Sequence, residues 1–550
     1  TVVNGRATAV VVATAMQTEI GRIGGLVSQI KEGRTPLERR LDALGQRLVW
    51  VALGVAAVVA ALGWWQGLPW SIVVATSLAL AVAAVPEGLP AVATIALAVG
   101  VHRMARRRAL VRRLPAVESL GSVTVVCTDK TGTLTAGEMV TTQMWIGGRR
   151  HDITGTGYEP TGAITPALGA HGVRVIETAV MASRGDAVRD GDRWVAHGDP
   201  TDVALLVLGH KLGVDRAALG AERPEVGEVP FSSTLRLAAT FHGPSTQARV
   251  MTTAVKGAPQ AILDRCAHWL DAEGRPAQLD AGARSAIESA NEAFASRGLR
   301  VLAIADGEVS ATDESALTGL TFLGLAGLID PPAAGVRETV EQFKAAGIRT
   351  VMITGDQALT ARAVGLDLGV LEAGDTVVTG QTVDAWSDAD LAAALPTVGA
   401  YSRVSPEAKL RIVAGLQSRG DVVAVLGDGV NDAAALKQAD VGVAMGRRGT
   451  DVARDSADVV LQDDWFPTIG AAIEEGRVIY DNIRKFVFYL FSCNLAEVFV
   501  LLVAGAMGAA PLTPLQILWL NLVTDTFPAL ALAVEPAEPG IMARGPRDPK

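Results

Sequence analysis

The sequence predicts an α/β protein joined to an α-helical membrane part, with a doubly wound parallel sheet, an inserted α+β domain and four transmembrane helices. Three observations support this fold class. Four segments are apolar over the length of a bilayer and nearly free of charge. Three short apolar strands each end in an acidic loop followed by a helix-like stretch, which is typical of a doubly wound sheet. Residues 147–325 lie between the first of these units and the others, and their alternating strand patterns and Gly/Asp turns indicate an insertion.

Composition limits the classes of protein that fit. The chain has 550 residues, too many for a single hydrophobic core, so two or more domains are expected. Hydrophobic residues make up 49% and the mean hydropathy is +0.31, which fits a chain lying partly in a bilayer and partly in the cytosol. The net charge of −9 argues against a nucleic-acid partner, because the phosphate backbone would be repelled. The three cysteines are widely spaced and suggest neither a disulfide framework nor a metal cluster.

The four apolar segments are predicted to span a lipid bilayer, which takes about 20 residues of helix. They are residues 48–65, 70–101, 486–510 and 511–534. Basic residues flank them on one side only, so the positive-inside rule places residues 102–485 in the cytoplasm. A buried core helix could explain one such segment, but not four with consistent flanks. We therefore expect a multi-pass integral membrane protein, in the plasma membrane, with its catalytic domains in the cytoplasm.

The three acidic loops are expected to meet, because the carboxyl ends of parallel strands share one edge of a sheet. The strands are residues 123–127, 350–353 and 422–426. A carboxylate can attack phosphorus when Mg²⁺, an ammonium and N–H donors offset the negative charge. The residues that supply these groups are Asp129 as nucleophile, Asp428 and Asp432 on the metal side, Lys409 as ammonium, and Thr354 and Gly355 as phosphoryl donors. One such aspartate alone would be read as a turn or a helix cap, but three similar loops are harder to explain that way.

Three acidic residues inside the apolar segments indicate an ion site, because a charge at membrane depth is costly. Glu87 lies in the run Pro86-Glu87-Gly88-Leu89-Pro90, which is expected to unwind its helix and free backbone carbonyls. Asn494 and Glu497 share one helical face, and Asn521, Thr524 and Asp525 cluster likewise. Such a set of oxygen ligands suits Ca²⁺. The alternative, protonated acids that pair within the bundle, leaves the broken helix unexplained.

The acidic loops carry a family resemblance. The run Cys127-Thr128-Asp129-Lys130-Thr131-Gly132-Thr133-Leu134-Thr135 is similar to the phosphorylation motif of the P-type ATPases at every position, and the similarity continues through Thr354-Gly355-Asp356 and Gly427-Asp428-Gly429-Val430-Asn431-Asp432. The resemblance implies a haloacid-dehalogenase-like phosphorylation domain in which Asp129 becomes an aspartyl-phosphate. Asp428 would bind Mg²⁺ with Asp129 and the Thr131 carbonyl. The catalytic residues it implies are Asp129, Lys130, Thr131, Thr354, Gly355, Asp356, Lys409, Asn431 and Asp432.

The inserted domain resembles the nucleotide-binding domain of this family. By that resemblance Phe231 would stack on the adenine of ATP, Lys256 would line the same pocket, and Arg300 would reach a phosphate. The implied set is Asp202, Phe231, Arg236, Lys256, Arg300 and Arg403. Without the resemblance, Phe231 would be read as a core aromatic and Lys256 as a surface amine. The sequence has no Walker A pattern, so ATP is not expected on a P-loop.

The membrane motifs look most like those of the sarcoplasmic-reticulum type of calcium pump. The transported-ion ligands implied are Val82, Ala83, Val85, Glu87, Asn494, Glu497, Asn521, Thr524 and Asp525, the first three through their carbonyls. Sodium/potassium-type pumps share the Pro-Glu-Gly pattern and remain an alternative, as does Mn²⁺ as cargo. Two other classes are a membrane-anchored phosphohydrolase, which leaves the intramembrane acids unexplained, and a passive channel or scaffold, which leaves the acidic loops without a use.

The resemblance also assigns the domain divisions. They are residues 1–47, the end of an actuator domain and stalk; 48–113, transmembrane helices three and four of a full pump; 114–146, the first segment of the phosphorylation domain; 147–325, the nucleotide-binding domain; 326–484, the second segment of the phosphorylation domain; 485–534, transmembrane helices five and six; and 535–550, the start of a cytoplasmic loop. The chain lacks the family's Thr-Gly-Glu loop and an initiator Met. We therefore expect a fragment that binds ATP but does not complete a transport cycle.

Overall fold

The computed structural model describes residues 36–65, 69–83, 89–155, 157–190, 193–232, 234–243, 250–507 and 512–547, with single positions at 10, 13, 14, 18 and 67. The described chain forms two compact units. The first holds Lys130–Ala334 and Asp356–Asp367, and the second holds Val12–Asp129, Gly335–Gly355 and Leu368–Lys550. The division between them therefore passes directly after Asp129.

The first unit is built on a ten-stranded sheet whose pairs are antiparallel except for one. Its strands are β3 (Val140–Ile146), β4 (Arg149–Ile153), β5 (Ile164–Thr165), β8 (Glu225–Val229), β9 (Leu237–His242), β10 (Met251–Gly257), β11 (Cys266–Leu270), β12 (Pro276–Gln278), β13 (Arg300–Val309) and β14 (Leu320–Ile329). A separate hairpin pairs β6 (Asp186–Asp190) with β7 (Arg193–His197). The sheet is buried on both faces, because Met144 and Ile146 enter one hydrophobic cluster and Trp145 between them enters another.

Six helices accompany this sheet. They are α5 (Ala170–Met181), α6 (Pro200–Lys211), α7 (Arg216–Glu222), α8 (Pro259–Leu263), α9 (Ala281–Ala295) and α11 (Ala358–Asp367). Several begin at a side-chain cap: Asp199, Asp215 and Asp280 each accept a hydrogen bond from a backbone N–H in the first turn of the helix that follows. The sheet runs from Val140 to Ile329 and so extends beyond the predicted insertion at 147–325, whose boundaries stay a prediction.

The second unit contains an eight-stranded sheet, and the predicted parallel α/β arrangement is confirmed. In spatial order its strands are β1 (Ala109–Val111), β20 (Val459–Leu461), β19 (Val441–Met445), β18 (Val423–Gly427), β2 (Val125–Thr128), β15 (Arg349–Thr354), β17 (Val398–Ser402) and β16 (Thr376–Thr379), with only β1 antiparallel to its neighbour. The three strands that precede the acidic loops, β18, β2 and β15, are adjacent. All four residues of β2 are buried, as expected for a central parallel strand covered on both faces.

Short helices cover this sheet. They are α4 (Pro115–Leu120), α10 (Val336–Ala345), α12 (Gly380–Ala385), α13 (Asp388–Ala394), α14 (Pro406–Ser418), α15 (Ala433–Gln438) and α16 (Asp451–Ser456). Side chains of β2 and β15 pack with those of α14 in one cluster, which includes Cys127, Ile353 and Ile412. The other face of the same strands is also closed, since Val126 and Met352 are buried.

Five apolar helices complete the second unit. They are α1 (Pro36–Trp65), α2 (Trp70–Ala83), α3 (Leu89–Arg106), α17 (Pro467–Ala506) and α18 (Pro514–Ala533). Among the described residues, Pro467–Ala504 and Leu515–Ala533 are long and apolar enough to cross a membrane, and Leu53–Trp65 and Trp70–Ala79 are shorter apolar stretches. Two of the four predicted spans are thus supported by length and composition. Residues 84–88, where the second span was predicted to unwind, lie outside the described residues.

These helices expose many large apolar side chains. Trp65, Phe499, Trp519 and Phe527 are among the exposed residues, whereas Val59, Ala79, Leu501 and Ile517 form a small buried cluster. An apolar surface of this kind is costly in water and is typical of helices that face lipid.

The first half of α17 packs closely against other parts of the second unit, near its eight-stranded sheet. The Arg477 guanidinium is buried and donates to the carbonyls of Ala346, Ile541 and Arg544 at 3.1, 3.1 and 2.7 Å. One residue earlier, Gly476 touches Gly121, so that a Cβ on Gly476 would lie 2.7 Å from the Gly121 nitrogen. This contact requires glycine at position 476.

Gly476→Ala tests this packing. We expect it to lower the free energy of unfolding by about 2 kcal/mol, because the added methyl group must displace backbone atoms. Gly470→Ala is the matched control in the same helix: its Cβ would meet its nearest atom at 3.4 Å, so alanine should stabilise by up to about 1 kcal/mol. Thermal unfolding of the protein in detergent measures both effects, and equal unfolding temperatures for the two variants would contradict the close approach.

Candidate active site

A buried lysine lies at the carboxyl edge of the parallel sheet, among the acidic loops. Lys409, in the first turn of α14, is brought there by the Ser405 cap of that helix. Its Nζ lies 2.6 Å from Asp432 Oδ1 and 3.8 Å from Asp129 Oδ2. Burial alone would lower the pKa of Lys409, but the carboxylates of Asp432 and Asp129 outweigh it, so the pKa is raised and the ammonium stays charged.

Asp432 fixes both the lysine and the loop after β18. One of its carboxylate oxygens pairs with Lys409, and the other accepts hydrogen bonds from the N–H groups of Asp428 and Gly429, each at 3.0 Å. A Cβ on Gly427 would lie 2.5 Å from this side chain, so only glycine fits there. Asp432 therefore positions Lys409, and its use as a metal-side carboxylate stays a prediction.

The loop cluster carries excess negative charge. Burial, together with the nearby carboxylates of Asp432 and Asp129, raises the pKa of Asp428 to about 6. Three carboxylates thus face one ammonium. Among the described residues no group of three or more His, Cys, Asp or Glu side chains converges as a complete metal cage. This arrangement fits Mg²⁺, which usually takes one or two protein carboxylates and fills its other positions with phosphate and water.

The remaining predicted catalytic residues divide between the two units. In the second unit Thr354 ends β15 and is buried, while Gly355 and Asn431 are exposed, and Gly355 has open space where a side chain would be. In the first unit Lys130 is buried and forms an ion pair with Asp356, and Thr131 is exposed. The loops after β2 and β18 are therefore brought together by Lys409 within one unit.

Two predicted nucleotide residues contact each other inside the first unit. Lys256 Nζ forms an ion pair with Asp202 and lies 3.1 Å from Ser183 Oγ. The other Asp202 oxygen accepts a hydrogen bond from the Arg184 N–H at 2.8 Å. Burial lowers the pKa of Lys256, and Asp202 opposes that effect. Lys256 is thus buried and paired, and no local pattern in the sequence pointed to its partners.

The other nucleotide residues are exposed. Phe231 is 69% exposed, an unusual position for a large aromatic side chain. Arg236 is exposed with a positive φ of 57°, and Arg403, which belongs to the second unit, is exposed with a φ of 51°. Arg300 donates to Thr201 Oγ1 at 3.3 Å.

The first unit contains a cleft of about 530 Å³. Its walls include Lys130, Thr201, Arg300, Asp330 and Asp356. Cationic side chains and hydroxyl groups therefore face the same space as residues of the Asp129-Lys130-Thr131 motif. The carboxylates of Asp330 and Asp356 line the same space, and Asp356 pairs with Lys130, so the cleft carries charges of both signs.

Asp330 is a residue of this cleft whose role the sequence analysis missed. Its carboxylate accepts from Thr135 Oγ1 at 2.6 Å and from the N–H groups of Gly137 and Glu138 at 2.8 and 3.2 Å. Burial raises its pKa. Asp330 thus braces the segment that follows Lys130. The signal was the Asp330-Pro331-Pro332 run, where an acid precedes two rigid residues.

The membrane helices α17 and α18 bring a second set of predicted residues together. With its amide nitrogen facing the carboxylate, Asn521 donates to Glu497 Oε1 and Oε2 at 2.9 and 2.7 Å. Asn494 is buried one turn away, and within the described residues of the chain neither of its amide atoms has a hydrogen-bond partner. An unpartnered polar group in an apolar bundle is costly, which favours a site that a ligand completes.

The other ion-site residues are described less fully. The Thr524 hydroxyl donates to the Leu520 carbonyl at 2.8 Å. Asp525 belongs to α18, and Val82 and Ala83 to the end of α2, but their side chains are not described. Val85 and Glu87 lie outside the described residues. The predicted ion-site side chains whose contacts the structure describes are therefore Asn494, Glu497, Asn521 and Thr524.

Comparison with known proteins agrees with this geometry. Residues 171–335 match the family model described as "P-type ATPase, cytoplasmic domain N", and residues 509–550 match "Cation transporting ATPase, C-terminus". The chain is 44% identical over 563 residues to the "Probable cation-transporting ATPase F" of Mycobacterium tuberculosis, covering 99% of the chain and 62% of that protein. It is 40% identical over 564 residues to a "Calcium-transporting ATPase" of Bacillus subtilis, covering 100% and 63%. It is 40% identical over 559 residues to the "Calcium-transporting ATPase 1" of Yarrowia lipolytica, covering 99% and 60%.

These matches, with the motif after β2, identify the class of protein. The chain belongs to the P-type ATPase family. It spans about three-fifths of the length of the curated relatives it matches.

The ion pair between Lys256 and Asp202 leads to a stability prediction. Lys256→Met should destabilise the nucleotide-free first unit by about 2 kcal/mol, because the partly buried Asp202 carboxylate loses its cation. Lys256→Met combined with Asp202→Leu should recover most of that loss, since no unpaired charge remains. Differential scanning calorimetry measures both variants. An unchanged unfolding temperature for Lys256→Met would mean that the lysine contributes only to ligand binding.

Proposed function

We propose that this chain forms the phosphorylation, nucleotide-binding and some of the cation-binding machinery of an ATP-driven Ca²⁺ pump in a cell membrane. One observation carries the proposal: the second unit contains both the Asp129–Lys409–Asp432 cluster and the Glu497–Asn521 cluster. Phosphorylation chemistry and an intramembrane polar site then belong to one compact body. The names of the relatives from Bacillus subtilis and Yarrowia lipolytica, both calcium-transporting ATPases, support Ca²⁺ as the cargo.

The phosphorylation step follows from the loop cluster in a haloacid-dehalogenase-like domain. An Asp129 carboxylate oxygen attacks the γ-phosphorus of ATP, and the bond from that phosphorus to the bridging oxygen breaks. ADP leaves with the electron pair, and an aspartyl-phosphate remains on the protein. Lys409 offsets the charge on the transferred group, and Thr354 and Gly355 donate to its oxygens. Mg²⁺, when held by Asp428, Asp129 and the Thr131 carbonyl, supplies further positive charge.

We assign the binding of ATP to residues of the first unit. Phe231 is exposed and so has a free face on which adenine can stack. Lys256 and Asp202 form the polar side of the purine pocket. Arg300 lines the cleft of the first unit together with Lys130, and it is the residue we assign to the phosphates.

The cation site lies between apolar helices that hold oxygen donors. Glu497 and Asn494 of α17 and Asn521, Thr524 and Asp525 of α18 provide carboxylate, amide and hydroxyl oxygens, which Ca²⁺ prefers. The same chemistry does not exclude Mn²⁺ or the ions of a sodium/potassium-type pump, so the cargo is decided by experiment. A membrane-anchored phosphohydrolase would leave the buried Asn494 and the Glu497–Asn521 pair without a purpose.

Labelling with radioactive ATP tests the nucleophile. The complete membrane protein should form an acid-stable, hydroxylamine-sensitive phosphoprotein, and Asp129→Asn should abolish it, because an amide cannot attack phosphorus. Asp388→Asn is the control, since that carboxylate is 95% exposed and lies on α13. Labelling that persists in Asp129→Asn would overturn the assignment.

Varying Ca²⁺, Mn²⁺, Na⁺ and K⁺ in the same assay identifies the cargo, and labelling indifferent to Ca²⁺ would reject a calcium pump.

Phe231→Ala tests the nucleotide site. Stacking of a base on an aromatic ring contributes about 1–3 kcal/mol, so the dissociation constant for ATP should rise about tenfold or more. The unfolding temperature should not change, because this ring is exposed. Val188→Ala, which shortens another exposed apolar side chain of the same unit, should leave ATP binding unchanged. Equilibrium binding of a fluorescent ATP analogue measures both, and equal affinities in the two variants would place adenine elsewhere.

A further inference from the structure

Helix α18 contains a proline within its apolar length. Pro528 lies inside the helix, four residues after Thr524. In a regular helix the N–H of residue 528 would donate to the Thr524 carbonyl, but proline has no N–H. The carbonyl of a candidate cation ligand therefore lacks its usual backbone donor. In the apolar interior of a membrane such a carbonyl is costly unless another group donates to it.

A tyrosine from the neighbouring helix supplies that donor. The Tyr489 hydroxyl of α17 donates to the Thr524 carbonyl at 3.1 Å. Tyr489 lies eight residues before Glu497 on α17, and Thr524 lies three residues after Asn521 on α18, as expected for antiparallel helices. The hydrogen bond made by Tyr489 thus lies in the same interface between α17 and α18 as the Glu497–Asn521 contact. We call the polar contacts of this interface the seam.

Several polar links join the described residues of this seam. The Asn521 amide joins Glu497, the Tyr489 hydroxyl joins the Thr524 carbonyl, and the Asn482 amide joins the carbonyls of Ala533 and Glu535 at 3.3 and 2.9 Å. The Asn482 link serves the Ala533 carbonyl at the C-terminal end of α18, where every helix runs out of backbone donors. The link made by Tyr489 instead replaces a hydrogen bond within the helix, which Pro528 cannot supply.

The link made by Tyr489 also bears on how Thr524 presents its side chain. The Thr524 hydroxyl donates its hydrogen to the Leu520 carbonyl of the preceding helix turn. The lone pairs of the hydroxyl oxygen therefore point away from that turn. Asn521, Thr524 and Asp525 share one stretch of α18, directly before Pro528. A helix is most easily bent at a proline, and the angle there sets the positions of these three residues relative to α17.

We propose that Tyr489 is a positioning residue for the cation site: its hydroxyl takes the place of the N–H missing at Pro528 and holds the Asn521–Asp525 stretch in register with Glu497. This inference rests on the proposed cation transport. Tyr489 does not touch the cation. It fixes the backbone from which Thr524 and Asp525 reach it.

A double-mutant cycle tests the proposal in the complete membrane protein. Tyr489→Phe removes only the hydroxyl, and Pro528→Ala, or Pro528→Leu if alanine impairs folding, supplies the missing N–H. In the Pro528 background, Tyr489→Phe should raise the Ca²⁺ concentration for half-maximal phosphorylation about fivefold, the size expected for one interhelical hydrogen bond in a membrane. The maximal phosphorylation level and ATP affinity should stay unchanged. With residue 528 substituted, the same change should have less than about a twofold effect, because the carbonyl has its own donor.

Tyr480→Phe is the matched control on α17, since its ring lies 3.2 Å from the Arg547 guanidinium and away from the cation residues. It should not change the Ca²⁺ dependence. An equal effect of Tyr489→Phe with and without Pro528 would overturn the proposal, as would no effect in the Pro528 background. If the parent protein shows no cation-dependent phosphorylation at all, the proposed function fails and this inference fails with it. That outcome is distinct, because it appears before any substitution is made.

Discussion

The buried ammonium of Lys409 is the group on which the cluster of acidic loops depends. Without it, the carboxylates of Asp129, Asp428 and Asp432 would repel one another at the edge of the sheet, in surroundings that screen charge poorly. Asp432 holds the lysine with one oxygen and two loop N–H groups with the other, so the ion pair also shapes the loop after β18. A buried pair of this kind is costly to break, which keeps Asp129 beside a fixed positive charge.

Helix α17 extends this rigid arrangement into the apolar region of the protein. Its 40 residues form a helix about 60 Å long. In its first half Arg477 donates to the Ala346 carbonyl, which directly follows α10, and in its second half Glu497 accepts from Asn521. A change of charge at the sheet edge and a change of ligand between the helices can therefore act on the same element.

The local features of this structure could be predicted from the sequence. The loop at Asp129 was predictable, because an apolar strand, a reactive acid and a specific motif coincide within a few residues. The meeting of the acidic loops after β18 and β2 was predictable, because the carboxyl ends of parallel strands share one edge of a sheet. The pairing of Lys256 with Asp202 was not predictable, since it depends on how distant strands and helices pack. The bond from Tyr489 to the Thr524 carbonyl depends on the register of two helices, and only the proline hints at it.

In the proposed pump, the polar contacts between α17 and α18 control phosphorylation at the sheet edge. Glu497→Gln measures this most directly, because it removes one intramembrane charge and keeps the shape of the side chain. We expect the Ca²⁺ concentration for half-maximal phosphorylation to rise by about tenfold or more, as a hard cation loses a charged ligand, while ATP affinity is unchanged. An unaltered Ca²⁺ dependence would contradict this claim.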